Sequence, residues 1–139
     1  MPSKYDKLLK AARGAKLRAH APYSKFRVGA AILTVKGGIF TGCNVESSSY
    51  SMTICAERTA IFKAISEGEH HFKAVAVVAD DPDFTPPCGA CRQVLSDLAG
   101  NIDVVMLNSH GKILIKKLKE LLPFAFDKEH LDTATRTKK

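Results

Sequence analysis

Two short cysteine-bearing segments constrain this chain more than anything else in it. The first reads Thr53-Ile54-Cys55-Ala56-Glu57-Arg58 and the second Pro86-Pro87-Cys88-Gly89-Ala90-Cys91-Arg92, with Cys55 and Cys88 33 positions apart. Cys88 and Cys91, three apart at the start of an expected helix, present both sulfurs to one side. Cys55 opens a second expected helix. Thiolates at such positions are favoured by unpaired backbone N–H groups and the positive end of the helix dipole. A lone Cys-x-x-Cys fits a redox pair or a structural knuckle as readily as a metal site, and Cys-Ala-Glu alone carries little. Together they point to three thiolates converging on one ion.

The rest of the pattern supplies the scaffold. Tyr5, Leu8, Leu9, Ala12, Ala15 and Ala19 recur near helical spacing between lysines, predicting an amphipathic helix over 4–18 that breaks at Ala21-Pro22-Tyr23-Ser24. Residues 28–35 and 39–44 are apolar runs around Lys36-Gly37-Gly38, a β-hairpin signal. A serine-rich loop at 47–51 precedes a helix over 55–67 that should end near Gly68. Residues 73–79 predict a buried strand, 80–87 a proline-rich loop, and 88–98 a second core helix stopped by Gly100. Strands follow at 102–107 and 112–115, joined by a tight turn at 108–111, then a short helix over 117–122 before Pro123 and a loose tail at about 133–139.

Two strand–helix–strand passages suggest an α/β fold with helices on both sides of a five-stranded mixed sheet. A parallel crossover needs a dozen or more residues, so the last two strands should be antiparallel. At 139 residues, with 45% hydrophobic and 25% charged residues, the chain suits one soluble domain over 1–139. It has no apolar run of the roughly 20 residues a membrane helix needs and no hydrophobic signal region, so a cytoplasmic protein is expected.

Zinc is the ion that fits three thiolates with a fourth position left to water, and an open position implies catalysis. The only other cysteine, Cys43, reads as a plain strand or loop residue. Glu57, two residues after Cys55, would sit near the metal as a carboxylate able to take up and pass on a proton. Three thiolates over-neutralise a divalent ion, so a cation is needed nearby. Arg58 and Arg92 are the local choices, and Arg58 is expected to donate to ligand sulfurs.

The formal charge of +7 raises the question of nucleic acid. Its distribution answers against it. Residues 1–27 hold eight Lys/Arg and one acid, residues 112–139 eight and four, and the chemistry-bearing middle five and nine. The basic excess sits on the ends, as solvated helix faces and a tail.

With Ala21-Pro22-Tyr23-Ser24-Lys25-Phe26-Arg27-Val28-Gly29-Ala30-Ala31, Gly42-Cys43-Asn44-Val45-Glu46, Cys55-Ala56-Glu57-Arg58-Thr59-Ala60, Pro87-Cys88-Gly89-Ala90-Cys91-Arg92-Gln93 and Glu120-Leu121-Leu122-Pro123 in that order, the chain resembles the small, homotetrameric cytidine deaminases over about residues 8–131. In its general form, Cys or His, x-Glu, then Pro-Cys-x-x-Cys, the metal-binding pattern is that of zinc nucleobase deaminases at large. The resemblance implies a three-layer α-β-α fold and conversion of free cytidine and deoxycytidine to uridine and deoxyuridine with release of ammonia, a pyrimidine-salvage reaction. It implies one zinc per subunit on Cys55, Cys88 and Cys91, Glu57 as proton shuttle, and Asn44 with Glu46 on a ribose hydroxyl. Phe26 would lie against the pyrimidine, the Ala56 backbone N–H would bind the base, and Phe126 would enter a neighbouring subunit's pocket. Tyr50 would lie in an interface loop. The chain departs from the family in Ser47-Ser48-Ser49, where Asn-Ala-Ser/Ala is usual, and at Phe124, where a Gly is common. If that Gly serves a positive φ, a Phe there is costly.

Three rival functions make different predictions. A deaminase of tRNA or single-stranded DNA ordinarily has His at the first ligand and a surface for flanking nucleotides. A deaminase of cytosine-bearing antibiotics would not need the Asn44 and Glu46 pair. A structural zinc module would close its shell with four ligands and release no ammonia.

Overall fold

The lysine-punctuated start of the chain forms helix α1 (Asp6–Lys16), with Leu8, Leu9, Ala12 and Ala15 buried on one stripe. Asp6 in its first turn and Arg13 and Lys16 in its last complement the helix dipole. These elements belong to a computed structural model that describes residues 4–126. The hairpin follows as strands β1 (Val28–Thr34) and β2 (Ile39–Cys43), and its turn places Gly37 at φ 96°, where a side chain would be strained. A single 3-10 turn (Tyr50–Met52) occupies the serine-rich loop. Helix α2 (Ala56–Ser66), strand β3 (Phe72–Ala79), helix α3 (Gly89–Ala99) and strand β4 (Asp103–Leu107) follow. The order closes with strand β5 (Ile113–Lys117) and helix α4 (Leu118–Leu121).

The sheet runs β2-β1-β3-β4-β5. Only β3 and β4 are parallel neighbours, and β4 and β5 are antiparallel, as the short turn between them requires. The expected three-layer architecture is present. One apolar cluster joins α1 to Ala31, Ala74, Ala76, Val78 and Val105. The other joins α2, α3 and α4 to Ala30, Ile32, Val75, Val104 and Met106. Alternate residues of one strand therefore serve opposite layers.

The source of the second layer differs from what the two crossover passages suggest. Strands β2 and β3 are each antiparallel to β1 and so run the same way, which makes β2-α2-β3 and β3-α3-β4 two parallel crossovers advancing in one direction. Right-handed connections advancing together put both helices on one face. The opposite face is covered by α1 instead. The last strand also differs: β5 continues to Lys117, which pairs with Asp103 across the ladder and sets its Nζ 2.7 Å from Asp103 Oδ1, leaving α4 only four residues. The tail expected at 133–139 lies outside the described residues.

Two glycines let helices approach the sheet closely. A Cβ at Gly29 would lie 2.1 Å from the Ala12 carbonyl oxygen of α1, and one at Gly42 would lie 2.5 Å from the Ala60 nitrogen of α2. No helix among the described residues is long and apolar enough to cross a membrane.

Candidate active site

The close seat of α2 on β2 fixes where its first turn lies. Cys55 is the residue that caps α2, in an extended conformation, and Cys88 does the same for α3. Cys91 sits one turn into α3, fully buried, and its N–H donates to the Cys88 sulfur at 3.5 Å. The three sulfurs converge: Cys55 and Cys88 are 3.6 Å apart, Cys88 and Cys91 3.3 Å, and all lie within 4.8 Å of one another. Tetrahedral zinc with Zn–S bonds of about 2.3 Å sets its sulfurs roughly 3.8 Å apart, so this donor set fits that ion. Among the described residues no other His, Cys, Asp or Glu joins the group. Cys43 stays out of it, its thiol donating to the Arg18 carbonyl at 3.4 Å.

The surroundings of the thiols are electrostatically lopsided. Cys55 is held well below the ordinary thiol range, first by the neighbouring Cys91 thiol and then, against the cost of burial, by Arg58. Cys91 is driven up, as donor to Cys55 and by burial. Arg58 Nη2 is 3.5 Å from the Cys55 sulfur, and its buried Nε has no hydrogen-bond partner among the described residues. Arg92 is otherwise engaged: Nε donates to the Pro87 carbonyl at 2.7 Å and Nη1 to that of Leu121 at 2.9 Å. Of the two local cations, only Arg58 addresses the sulfurs. Glu57 is 4% exposed, and burial pushes its carboxyl up to about 7.

A cavity of about 260 Å3 opens over Cys55, Cys88 and Glu57. Phe26, Val28 and Pro86 supply apolar wall, and Asn44, Glu46 and Ser24 line its polar side. Ala56 also lines it, and as the first residue of α2 it carries one of the N–H groups a helix start leaves without an intrahelical partner. Among the described residues no Lys or Arg lines the cavity. A second hollow of about 320 Å3, between Tyr23 and Tyr50, shares Ser24, Glu46 and Thr53 with it. A larger hollow, about 630 Å3, lies between α3 and α4 and has no cysteine or carboxylate among its described lining residues, so size does not identify the reactive site.

Seven of the residues singled out from sequence thus line one cavity: Phe26, Asn44, Glu46, Cys55, Ala56, Glu57 and Cys88. Cys91 and Arg58 do not line it, but they contact the sulfurs of Cys88 and Cys55 respectively. Phe126 is not brought to this cavity; it is exposed, and its carbonyl accepts from Gln93 Nε2 at 2.7 Å. Phe124 does take the left-handed conformation, at φ 55°, and is fully exposed there. That geometry costs a non-glycine residue about 1–2 kcal/mol. Tyr50 meets Tyr23 edge-on at 6.1 Å.

Sequence reasoning missed Thr53, Thr85 and Ser24 as lining residues. It also missed that the Asn44 amide already works locally, accepting from Val28 N and donating to the Phe26 carbonyl, both at 2.9 Å. Gly42, a glycine within a strand, signals the close seat of α2 but none of these contacts.

A family model described as the cytidine and deoxycytidylate deaminase zinc-binding region matches residues 2–108. The cytidine deaminase of Sporosarcina psychrophila is 51% identical over 130 residues, covering 93% of this chain and 96% of that protein. Blasticidin-S deaminase of Bacillus cereus is 33% identical, covering 74% of this chain and 79% of that protein. The crystal structure of cytidine deaminase from Burkholderia pseudomallei superposes with a TM-score of 0.86 at 44% identity, covering 89% of this chain and all of that one.

Proposed function

The chain belongs to the cytidine and deoxycytidylate deaminase family of zinc-dependent hydrolytic deaminases, and on that premise we propose that it acts, as a single catalytic domain, on free cytidine and deoxycytidine. The products are uridine or deoxyuridine and ammonia, and the role is pyrimidine salvage. One observation supports the choice of nucleoside over nucleotide or polynucleotide: the cavity beside the thiols is small and, among the described residues, is lined by two carboxylates and no Lys or Arg. A 5′-phosphate would meet negative charge there, and flanking phosphates would find no basic residue among the described lining of the cavity.

Cys55, Cys88 and Cys91 would hold the zinc, which when bound supplies a Lewis acid that makes water a nucleophile near neutral pH. Glu57 takes the proton from the attacking water and delivers it to N3 of cytosine. A C–O bond forms at C4 as the ring nitrogen is protonated. Glu57 then carries the second proton to the amino group, the C4–N4 bond breaks, and ammonia departs. Burial suits Glu57 to this work, because a carboxyl whose pKa lies near 7 both accepts and releases a proton readily. The Ala56 N–H holds the base and Phe26 lies against its face. Asn44 has one amide hydrogen left after its backbone bonds, and with Glu46 it takes a sugar hydroxyl. Arg58 offsets the surplus negative charge of three thiolates.

The same reading makes the protein a cytoplasmic homotetramer. A site of reduced thiols suits a reducing compartment. The exposed Tyr23, Tyr50 and Phe126 suit burial between subunits, with Phe126 reaching a neighbour's cavity.

The test is ammonia release, with zinc content measured beside it, for cytidine, deoxycytidine, cytidine 5′-monophosphate, blasticidin S and a single-stranded oligonucleotide. The two nucleosides should react and the oligonucleotide should not. Glu57→Gln should keep zinc yet turn over about 10²–10⁴-fold more slowly. Wild-type turnover in that variant refutes the assignment of Glu57, and preferential turnover of the nucleotide or oligonucleotide refutes the substrate class.

A further inference from the structure

Ser24 joins two walls of the cavity, and the mechanism above gives it no part. Its hydroxyl donates to Glu46 Oε2 and accepts the N–H of Phe26 at 3.0 Å. Its own N–H donates to Glu46 Oε1 at 3.1 Å, beside that of Tyr23 at 3.0 Å. Two consecutive residues therefore give the carboxylate three donors. A carboxylate offers about four acceptor sites, so one is left on Oε2, and the Ser24 bond decides where it points. The negative charge of Glu46 is correspondingly favoured, first by the Ser24 side chain and then by the two backbone donors.

The segment needs this help. It precedes β1 in an exposed turn, and Lys25, between Ser24 and Phe26, sits at φ 60°, an unfavourable conformation for a side-chain-bearing residue. The bond from Phe26 N to Ser24 is an ordinary local turn bond. A turn alone does not require the bond to Glu46, a residue 22 positions away on the far side of the β1–β2 hairpin.

We propose that Ser24 is a positioning residue for substrate binding, one hydroxyl setting both the Glu46 carboxylate toward the sugar and Phe26 toward the base. The proposal rests on the reading of Glu46 and Phe26 as nucleoside contacts. Because the proton work belongs to Glu57, losing the hydroxyl acts on KM and leaves kcat in place.

Ser24→Ala should raise KM for cytidine about tenfold, as expected for losing hydrogen bonds to a charged group and a backbone donor, with kcat within about twofold of wild type. Ser24→Thr, which keeps a hydroxyl, should restore most of the affinity. Combined with Glu46→Ala, the penalty of Ser24→Ala should shrink, so that the double variant falls short of the product of the two. Should Glu46→Ala fold poorly, 2′,3′-dideoxycytidine supplies the same comparison, since a substrate without the sugar hydroxyls should feel Ser24→Ala less. Zinc content and thermal midpoint are read for every variant. An unchanged KM in Ser24→Ala while Glu46→Ala raises it overturns the proposal and leaves the Glu46 reading standing. An unchanged KM in Glu46→Ala sinks that reading and the proposal with it. Multiplicative effects, or loss of zinc or kcat in Ser24→Ala, would show a general structural role and also overturn the proposal.

Discussion

Gly42 offers the sharpest separation between what holds the fold and what holds the site. A Cβ built there would lie 2.5 Å from Ala60 N, 2.6 Å from the Ala56 carbonyl oxygen and 2.8 Å from Thr59 Cβ. Two of these are backbone atoms of α2 and cannot rotate aside. To reach ordinary contact at 3.4 Å the helix would have to withdraw by roughly 0.9 Å. Cys55 and Glu57 travel with it, whereas Cys88 and Cys91 ride on α3. The Cys55–Cys88 separation of 3.6 Å already suits one tetrahedral ion, so such a shift should spoil it. Gly42→Ala is therefore expected to cost about 1–3 kcal/mol of stability. It should also lower zinc content and reduce turnover by about 100-fold, the usual consequence of a 1 Å misplacement of reacting groups. Gly29→Ala is the control. Its Cβ would meet Ala12 O at 2.1 Å and Lys16 N at 2.4 Å, so α1 must retreat further than α2 would. Yet α1 lies on the other face of the sheet and carries no proposed site residue. It should cost at least as much stability while the folded protein keeps its zinc and its turnover. Urea unfolding, metal analysis and initial rates, taken where both variants are fully folded, decide the matter. Equal zinc loss in the two variants, or full zinc and turnover in Gly42→Ala, would refute the reasoning.

Arg58→Gln should retain zinc and lower turnover about 10–100-fold, since the variant loses the cation beside Cys55 but no ligand; unchanged turnover would show that the thiolates need no such counter-charge. Asp103 accepts from Tyr5 Oη at 2.5 Å and pairs with Lys117 Nζ at 2.7 Å, and these partners, Lys117 first, hold its carboxyl below the usual range. A depressed carboxylate stabilises the fold above its unfolded pKa of about 3.9 and loses that contribution as the pH falls through the folded value. Asp103→Asn should therefore flatten the fall of thermal midpoint below about pH 4 without altering turnover at pH 7, and an acid limb as steep as wild type would contradict it.

How much of this the sequence disclosed depended on range. Local signals worked: Gly68 and Gly100 sit at positive φ just beyond the helices they were expected to end, and the short turn forced β4 and β5 to be antiparallel. The thiol spacing named the metal cluster because all three cysteines lie at helix starts, where position along the helix is fixed by the sequence itself. Contacts between distant segments were not legible. Arg58 and Arg92 look alike beside the cysteines, and only the fold turns Arg92 toward the Pro87 and Leu121 carbonyls. The Ser24–Glu46 bond depends on hairpin register, and the engagement of the Asn44 amide depends on where residues 26 and 28 pass beside it. The three-layer arrangement was legible, but which helix covers which face was not, since handedness predicts a face only once the strand order is known.

That strand order also explains why segments far apart in sequence meet. Strands β2 and β3 run the same way, so their carboxyl ends, at Cys43 and Ala79, lie at one end of the sheet. The helices that follow them share a face and start at that same end, which brings the residues capping α2 and α3, Cys55 and Cys88, together. Strand β1 is antiparallel to both, so it begins where they finish, with Val28 opposite Ala79 and Gly29 opposite Cys43. The residues leading into β1, Ser24 and Phe26, therefore arrive over the thiols from a third direction, and Asn44 and Glu46, leaving β2, from a fourth. A crevice at the carboxyl ends of parallel strands is the usual ligand position in α/β sheets. Here the antiparallel β1 adds its amino end to the same crevice, so one reversal of direction in the sheet supplies the aromatic and the polar wall of the cavity together.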